Sequence, residues 1–292
     1  MLQGGSYYAG VDGLREGLKE AGLEEGQRLA LLVRDAKGDL AAVEAAARVL
    51  ERHDGVELIV AFATSVALAV RRSTENVPIV FVIGSDPAAL GLIETLPRPG
   101  GRLTGLHNIG TDLTPKRLEL LRELVPTVRR VITFYDPENR SATWSLSLSR
   151  DAARRLSIEF VERPVASADE IRERLHALRA EDADAYFFVS DAMVNSQSEL
   201  ILNRANMLRM PVVAYELEVV RRGALVGYGF SYWDLGCRAA GYVRRILAGS
   251  RASDLPVEAV SVPSLVINLK AAKSLGITIP STLLARADEV IE

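Results

Sequence analysis

Six places in the sequence put hydroxyls, carboxylates or aromatic rings directly after an apolar run. Thr64-Ser65 follow VELIVAFA. Ser85 and Asp86 follow VPIVFVIG. Asp136, Asn139 and Ser141 follow VRRVITFY. Ser190 and Asp191 follow DAYFFV, Glu216 and Glu218 follow PVVAY, and Phe230, Ser231 and Tyr232 follow ALVGYG. Such groups either cap the helix that comes next, at about 1 kcal/mol each, or converge on a ligand. Asp86, standing before Pro87, is the most cap-like. Thr64-Ser65 is the best anion seat, because two hydroxyls and the first N–H groups of a helix suit a carboxylate. Carboxylates at strand ends can serve as a general acid and base or accept from an ammonium or hydroxyl group. Residue type alone does not separate these two uses.

Several chemistries lack their residues. The sequence has no GxxxxGK[ST] and no GxGxxG, so the Gly-rich phosphate cradles are missing. It has no GxSxG elbow. The three histidines, His53, His107 and His176, are not paired at metal-ligand spacing, and the single cysteine, Cys237, cannot build a zinc site. His107, in GLHNIG, is the one histidine placed to reach a cleft. No catalytic residue, metal or cofactor is expected.

The elements that must position these groups alternate regularly. RLALLV (28–33), VELIVAF (56–62), VPIVFVI (77–83), RLTGL (102–106), VRRVITFY (128–135), SIEFVE (157–162), DAYFFVS (184–190), PVVAY (211–215) and ALVGYG (224–229) are short, near-continuous apolar runs. That pattern predicts strands buried on both faces. Amphipathic helices lie between them. Leu40, Val43, Ala47 and Leu50 share one face, as do Leu118, Leu121, Leu124 and Val125, and Ile171, Leu175 and Leu178. Asp86-Pro87 and Thr114-Pro115 predict helix starts, Ser167 to Glu170 predicts a capping box, and Gly22, Gly55 and Gly249 predict stops or turns. The alternation predicts an α/β protein with parallel sheets. RPGGR and LTGLHNIGTDLTP (98–115), then the start of the 231–248 helix, then SRASDLPVEAVSVPS, break the rhythm and predict crossings between two lobes. The chain of 292 residues is 48% apolar and 25% charged, ample for two cores. A net charge of −3 gives no bulk attraction to nucleic acid or to an anionic membrane. No apolar run approaches the roughly 20 residues that span a bilayer, and no basic-then-apolar leader is present.

IVFVIGSDPAALGLIETLPRPGGRLTGL, PKRLELLRELVP and SLVINLKAAKSLGITIPSTLLARADEVIE resemble the solute-binding proteins of the ABC-transporter substrate-binding family, related to tryptophan- and tyrosine-type binding proteins. The resemblance covers nearly the whole chain. It implies the periplasmic-binding-protein type I fold, two α/β lobes joined by three crossings, with 1–107 and 231–262 in one lobe and 108–230 and 263–292 in the other. It implies a small polar ligand, amino-acid-like or carboxylate-bearing, held in the interlobe cleft, and delivery to a membrane permease outside the cytoplasmic membrane. Carried over by position, the ligand-binding residues are Ser6, Tyr7, Tyr8, Thr64, Ser65, Ser85, Asp86, Tyr135, Asp136, Asn139, Ser190, Asp191, Tyr215, Glu216, Phe230 and Ser231. Tyr7, Tyr8, Phe230 and Tyr232 are the stacking candidates. Two alternatives stand beside this reading: a ligand-sensing regulatory module of the same fold, and an enzyme using cleft carboxylates. In the family an apolar strand precedes the opening loop that Gly5 to Tyr8 matches. Here only Met1-Leu2-Gln3 stand before Gly4, so the N-terminal sheet is expected to lack that strand and to expose neighbouring backbone and apolar faces.

Overall fold

A computed structural model describes residues 1–292. The chain runs α1 (Tyr7–Glu20), α2 (Leu40–Arg52), β1 (Ile59–Phe62), α3 (Thr64–Ser73), β2 (Ile79–Ile83) and β3 (Leu103–Asn108). It continues through α4 (Thr114–Leu124), β4 (Arg130–Tyr135), α5 (Arg140–Leu156), β5 (Glu159–Pro164), α6 (Ala168–Ala177), β6 (Ala185–Phe187), α7 (Ala192–Ser196) and α8 (Ser198–Met207). Then come β7 (Val212–Glu216), α9 (Leu217–Arg221), β8 (Val226–Phe230), α10 (Tyr232–Leu247), β9 (Glu258–Val260), β10 (Ser264–Asn268), α11 (Leu269–Leu275), α12 (Ser281–Leu284) and β11 (Glu289–Ile291). Two compact units result: Met1–Ile109 with Tyr232–Ser261, and Gly110–Ser231 with Val262–Glu292. No helix is long and apolar enough to cross a membrane.

The first unit has a four-stranded parallel sheet, β1-β2-β3-β9. Every residue of β2 is buried, as its unbroken IVFVI run requires. Helices α1 and α10 pack against each other through glycines. A Cβ on Gly13 would lie 2.0 Å from Trp233 O, and one on Gly236 would lie 2.1 Å from Gly10 O. Only hydrogen in place of a side chain permits backbones this close.

The second unit has a seven-stranded sheet, β11-β10-β8-β7-β6-β4-β5, parallel except where β10 meets β8. Alternate residues feed two cores. Ile132, Phe134, Tyr186 and Phe188 join the side chains of α6 and α8, whereas Val131, Ala185, Phe187 and Val213 join those of α4 and α5. Period-two alternation, apolar on both faces, is the physical content of a doubly covered strand.

Three expectations need correction. RLALLV does not form a strand. Leu29 has only an isolated bridge to Glu25, and Leu32 is 42% exposed. No strand lies beside residues 29–33 to complete a ladder with them. Leu2 N–H donates to Arg34 O at 3.2 Å and Ala36 N–H to Leu2 O at 3.1 Å, while Phe62 N–H donates to Met1 O at 3.1 Å. Met1-Leu2 thus bridges residues 34–36 and the end of β1, but only there. Alongside 29–33 and 56–60 lies a cavity of about 500 Å³. Secondly, no helix follows Pro87. Residues 87–92 make a single turn, with Leu90 N–H on Asp86 O and Leu92 N–H on Pro87 O, and Gly91 (φ 69°) ends it. Thirdly, Thr114 does not cap α4. It is the first helical residue, and its hydroxyl donates to Thr111 O at 2.6 Å.

Candidate functional site

In the first unit the chemistry gathers where β1, β2 and the Met1–Gln3 segment end. Ala63, which precedes α3, has φ 84° and ψ 149°. That is a costly conformation for a residue with a Cβ, and it turns the chain sharply from β1 into the helix. The first amides of α3 have no intrahelical acceptor, and no side chain caps them. Around this turn stand Thr64 Oγ1, 3.4 Å from Ser85 Oγ, and Ser65 Oγ, 3.4 Å from Gln3 Oε1. Gln3 is 1% exposed, and its Nε2 has no hydrogen-bond partner. The set presents hydroxyls, a carboxamide N–H₂ and a helix N-terminus. All are neutral donors suited to an anion.

The other expected residues of this unit have different surroundings. Asp86 is exposed and its carboxylate accepts from Ala88 N–H at 2.8 Å and Ala89 N–H at 3.2 Å, so it caps the turn. Ser6 is buried at the start of α1. Tyr7 is 2% exposed and meets Tyr232 edge-on, ring centroids 4.7 Å apart, so these two stacking candidates pack on each other. Tyr8 is half-exposed and its hydroxyl donates to Asp35 Oδ2 at 2.9 Å. Burial, then the hydrogen bond to Asp35, raises the Tyr8 pKa. His107 lies on β3 with neither ring nitrogen partnered; burial lowers its pKa, and the charge of Asp86 partly opposes that shift.

In the second unit the ends of β4, β6, β7 and β8 carry acceptors. Asp136 is partly buried; its backbone N–H donates to Asp191 Oδ2 at 2.7 Å and its Oδ1 accepts from Glu138 N–H at 2.9 Å. Burial raises the Asp136 pKa. Asp191 is fully buried and caps α7 through Val194 N–H at 3.1 Å; burial pushes its carboxyl up to about 6 against three backbone hydrogen bonds, from Asp136, Val194 and Met193. Asn139 caps α5 through Ser141 and Ala142 N–H. Ser190 N–H donates to Ser145 Oγ at 3.3 Å. The Tyr215 hydroxyl donates to Asp191 O at 3.4 Å, and Glu216, 1% exposed, accepts from Asn195 Nδ2 at 2.8 Å. Ser231 Oγ donates to Glu218 Oε1 at 3.1 Å. Tyr135, at the end of β4, is partly buried, and Phe230 is 7% exposed.

Gln3 and Arg117 were not legible from strand-end chemistry. Arg117 is 0% exposed beneath this cluster. Its Nε donates to Tyr228 O at 2.6 Å and its Nη2 to Gly110 O at 2.7 Å, and its guanidinium lies 5.8 Å from the Tyr215 ring centroid. Burial lowers its pKa, and Tyr215 and Glu216 oppose that shift. One signal was available. Arg117 stands four residues before Leu121 and seven before Leu124, on the apolar face of α4, where a charge needs a partner.

A family model described as ABC transporter substrate binding protein matches residues 1–291. The chain is 25% identical over 264 residues to the tyrosine-binding protein of Clostridioides difficile, covering 90% of this chain and 75% of that one. Among solved structures, a conserved domain protein from Vibrio cholerae is similar at 32% identity and a TM-score of 0.86, covering 99% of this chain and 97% of the other. An ABC domain in complex with L-Trp from Streptococcus pneumonia is similar at 25% identity and a TM-score of 0.84, covering 100% of this chain and 97% of the other.

Proposed function

The chain belongs to the family of ABC transporter substrate-binding proteins, and we propose that its ligand is an amino-acid-like zwitterion. The observation that carries this is the opposite polarity of the two strand-end sets. The first unit offers neutral donors around Gln3, Thr64, Ser65 and Ser85. The second offers the carboxylates of Asp136 and Glu216. A carboxylate suits the first set and an ammonium the second, and charge-assisted hydrogen bonds of both kinds are short and strong. In this reading Asp191 and Asn139 hold the loops, and Asp136 and Glu216 meet the ligand. Tyr135 and Phe230 supply apolar wall. The relatives named above, one a tyrosine-binding protein and one seen with L-Trp, support an aromatic or other large amino acid as the first class to try.

A ligand held by groups from both units favours whichever arrangement lets both sets reach it, by its differential affinity for that state. The proposed role ends with delivery, chemically unchanged, to the permease of an ABC importer on the outer side of the cytoplasmic membrane. Isothermal titration calorimetry against the amino acids, their decarboxylated amines and their deaminated acids tests the assignment. Binding should require both charged ends, and Thr64→Ala with Asp136→Ala should abolish it while the melting transition stays cooperative. Equal affinity for the amine or the acid alone, or turnover of the bound compound, rejects it.

A further inference from the structure

The ladder between β7 and β8 breaks step at its end. Ala214 lies opposite Gly227, but Glu216 lies opposite Phe230, so two residues of β7 advance against three of β8. An extra residue of this kind makes a bulge, which bends its strand and re-aims the side chains beyond it. Here the bulge falls at Tyr228 and Gly229, directly before Phe230. Gly229 is pressed against β7, where a Cβ on it would lie 2.1 Å from Tyr215 O. On its other edge β8 keeps register with β10, Tyr228 opposite Leu265 and Gly229 opposite Ser264. The irregularity therefore belongs to the β7 side, where Tyr215 and Glu216 stand.

Arg117 is fitted to this bulge. It projects from α4, which packs on β7 and β8, and it is 0% exposed. Its Nε donates to the bulge carbonyl, Tyr228 O, at 2.6 Å, and its Nη2 to Gly110 O, in the first residue of this unit, at 2.7 Å. Nη1 makes no hydrogen bond, so those two bonds and the Tyr215 ring 5.8 Å away hold the guanidinium. A Cβ on Gly229 would come within 3.5 Å of Nη2, which places the guanidinium alongside the bulge itself. A buried cation costs free energy to desolvate, and an apolar residue of similar volume often serves stability as well. What arginine adds is a planar fork that donates to two carbonyls at a fixed separation. The lysine ammonium is a single point on a flexible stem and cannot keep both bonds in that geometry.

We propose that Arg117 is the positioning residue of this unit's ligand wall. By holding the Tyr228 carbonyl it fixes the bulge, the bulge fixes Phe230 opposite Glu216, and the arginine thus sets which side chains the site admits without touching the ligand. The proposal rests on the reading of Phe230 and Glu216 as ligand-facing groups given above. Arg117 and Glu216 also interact electrostatically. In a buried setting that interaction is weakly screened, so an ammonium arriving at Glu216 changes the field at the guanidinium. The Gly227-Tyr228-Gly229 run, which opens no phosphate cradle, finds its use here. A Cβ on Gly227 would lie 2.5 Å from Val220 Cγ2, so both glycines let β8 pack closely on either side of the bonded carbonyl.

The test compares the full chain with Arg117→Lys, first without ligand and then with L-tryptophan and L-leucine as probes. In the ligand-free variant the amides of Glu216 and Phe230 should exchange about tenfold faster, while those of β4 and β5 keep their parental rates. By calorimetry L-tryptophan should bind the variant about tenfold more weakly, the fold-change that one charged hydrogen bond represents. The ratio of its affinity to that of L-leucine should fall as well. An arginine that only stabilises the fold predicts a lower melting midpoint with that ratio unchanged, and this result would overturn the proposal. Parental exchange at Glu216 and Phe230 in the variant would overturn it too. Where the variant does not fold, the parent decides: the nitrogen-15 NMR signal of the Arg117 Nε–H should shift when L-tryptophan saturates the protein, and an unmoved signal refutes the coupling. Failure of the parent to bind any amino acid counts against the ligand reading and not against Arg117, whose hold on β8 the ligand-free exchange still decides.

Discussion

In the second unit, VRRVITFY becomes β4, bonded to β5 on one edge and to β6 on the other. In the first unit RLALLV, as apolar, lies beside a cavity and makes no ladder. The contrast separates two properties that an apolar run suggests together. Composition says that a segment favours a covered, pleated environment. Whether it becomes a strand depends on a second chain segment whose N–H and C=O groups face it. The same contrast runs through the strand ends. The first unit gathers neutral donors at a helix N-terminus, the second gathers carboxylates over a buried arginine.

The largest expected effect tests what underlies the second set. Arg117→Ala removes a buried cation from Tyr228 O and Gly110 O and takes away the positive charge that interacts electrostatically with Glu216. It should cost about 3–5 kcal/mol, read from urea midpoints, with exchange accelerating across α4, β7 and β8 and not in the first unit. Protection unchanged in β7 and β8 would show that the cluster does not depend on the guanidinium.

Next comes the helix contact that holds the first unit. Gly13→Val would drive a side chain into Trp233 O, and we expect about 3 kcal/mol of destabilisation, seen as faster exchange in α1 and α10. The third prediction uses pH. The Asp191 pKa in the fold, about 6, lies above its reference value of 3.8, so the fold favours the protonated acid. The cost of ionising it is absent below about pH 4, grows as pH rises towards 6, and is complete above, at roughly 3 kcal/mol. The stability difference between the parent and Asp191→Asn should therefore move in the variant's favour by up to that amount from pH 4 to 7. A flat difference would remove burial as the dominant influence on this carboxylate. The smallest effect concerns the donor set. Gln3→Ala should lower amino-acid affinity about tenfold, the worth of one charge-assisted hydrogen bond, while leaving the exchange rates of β2 and β3 unchanged. Retained affinity would free the carboxylate site from Gln3.

Much of this was readable in one dimension. The two-lobed α/β class followed from strand-helix alternation together with the family motifs, because apolar runs of four to seven residues and 3.6-period faces record which sides are covered. The capping roles of Asp86 and Asn139 followed from their places at strand ends. Gln3 did not, since nothing in MLQGG marks its amide as buried. Nor did Arg117, whose charge looked like one of many on an amphipathic helix until β7 and β8 closed over it. The packing of Tyr7 against Tyr232 joins residues more than two hundred positions apart.

What the sequence determined by itself was local and periodic: which segments need cover, where most helices start and stop, and which side chains stand at the ends of strands. Those depend on dihedral preferences and on patterns a few residues long. Only tertiary structure decided which apolar run found a partner, which polar group lost its water, and which charge was enclosed. Each of these is a property of two segments brought together, and their free energies arise at the contact.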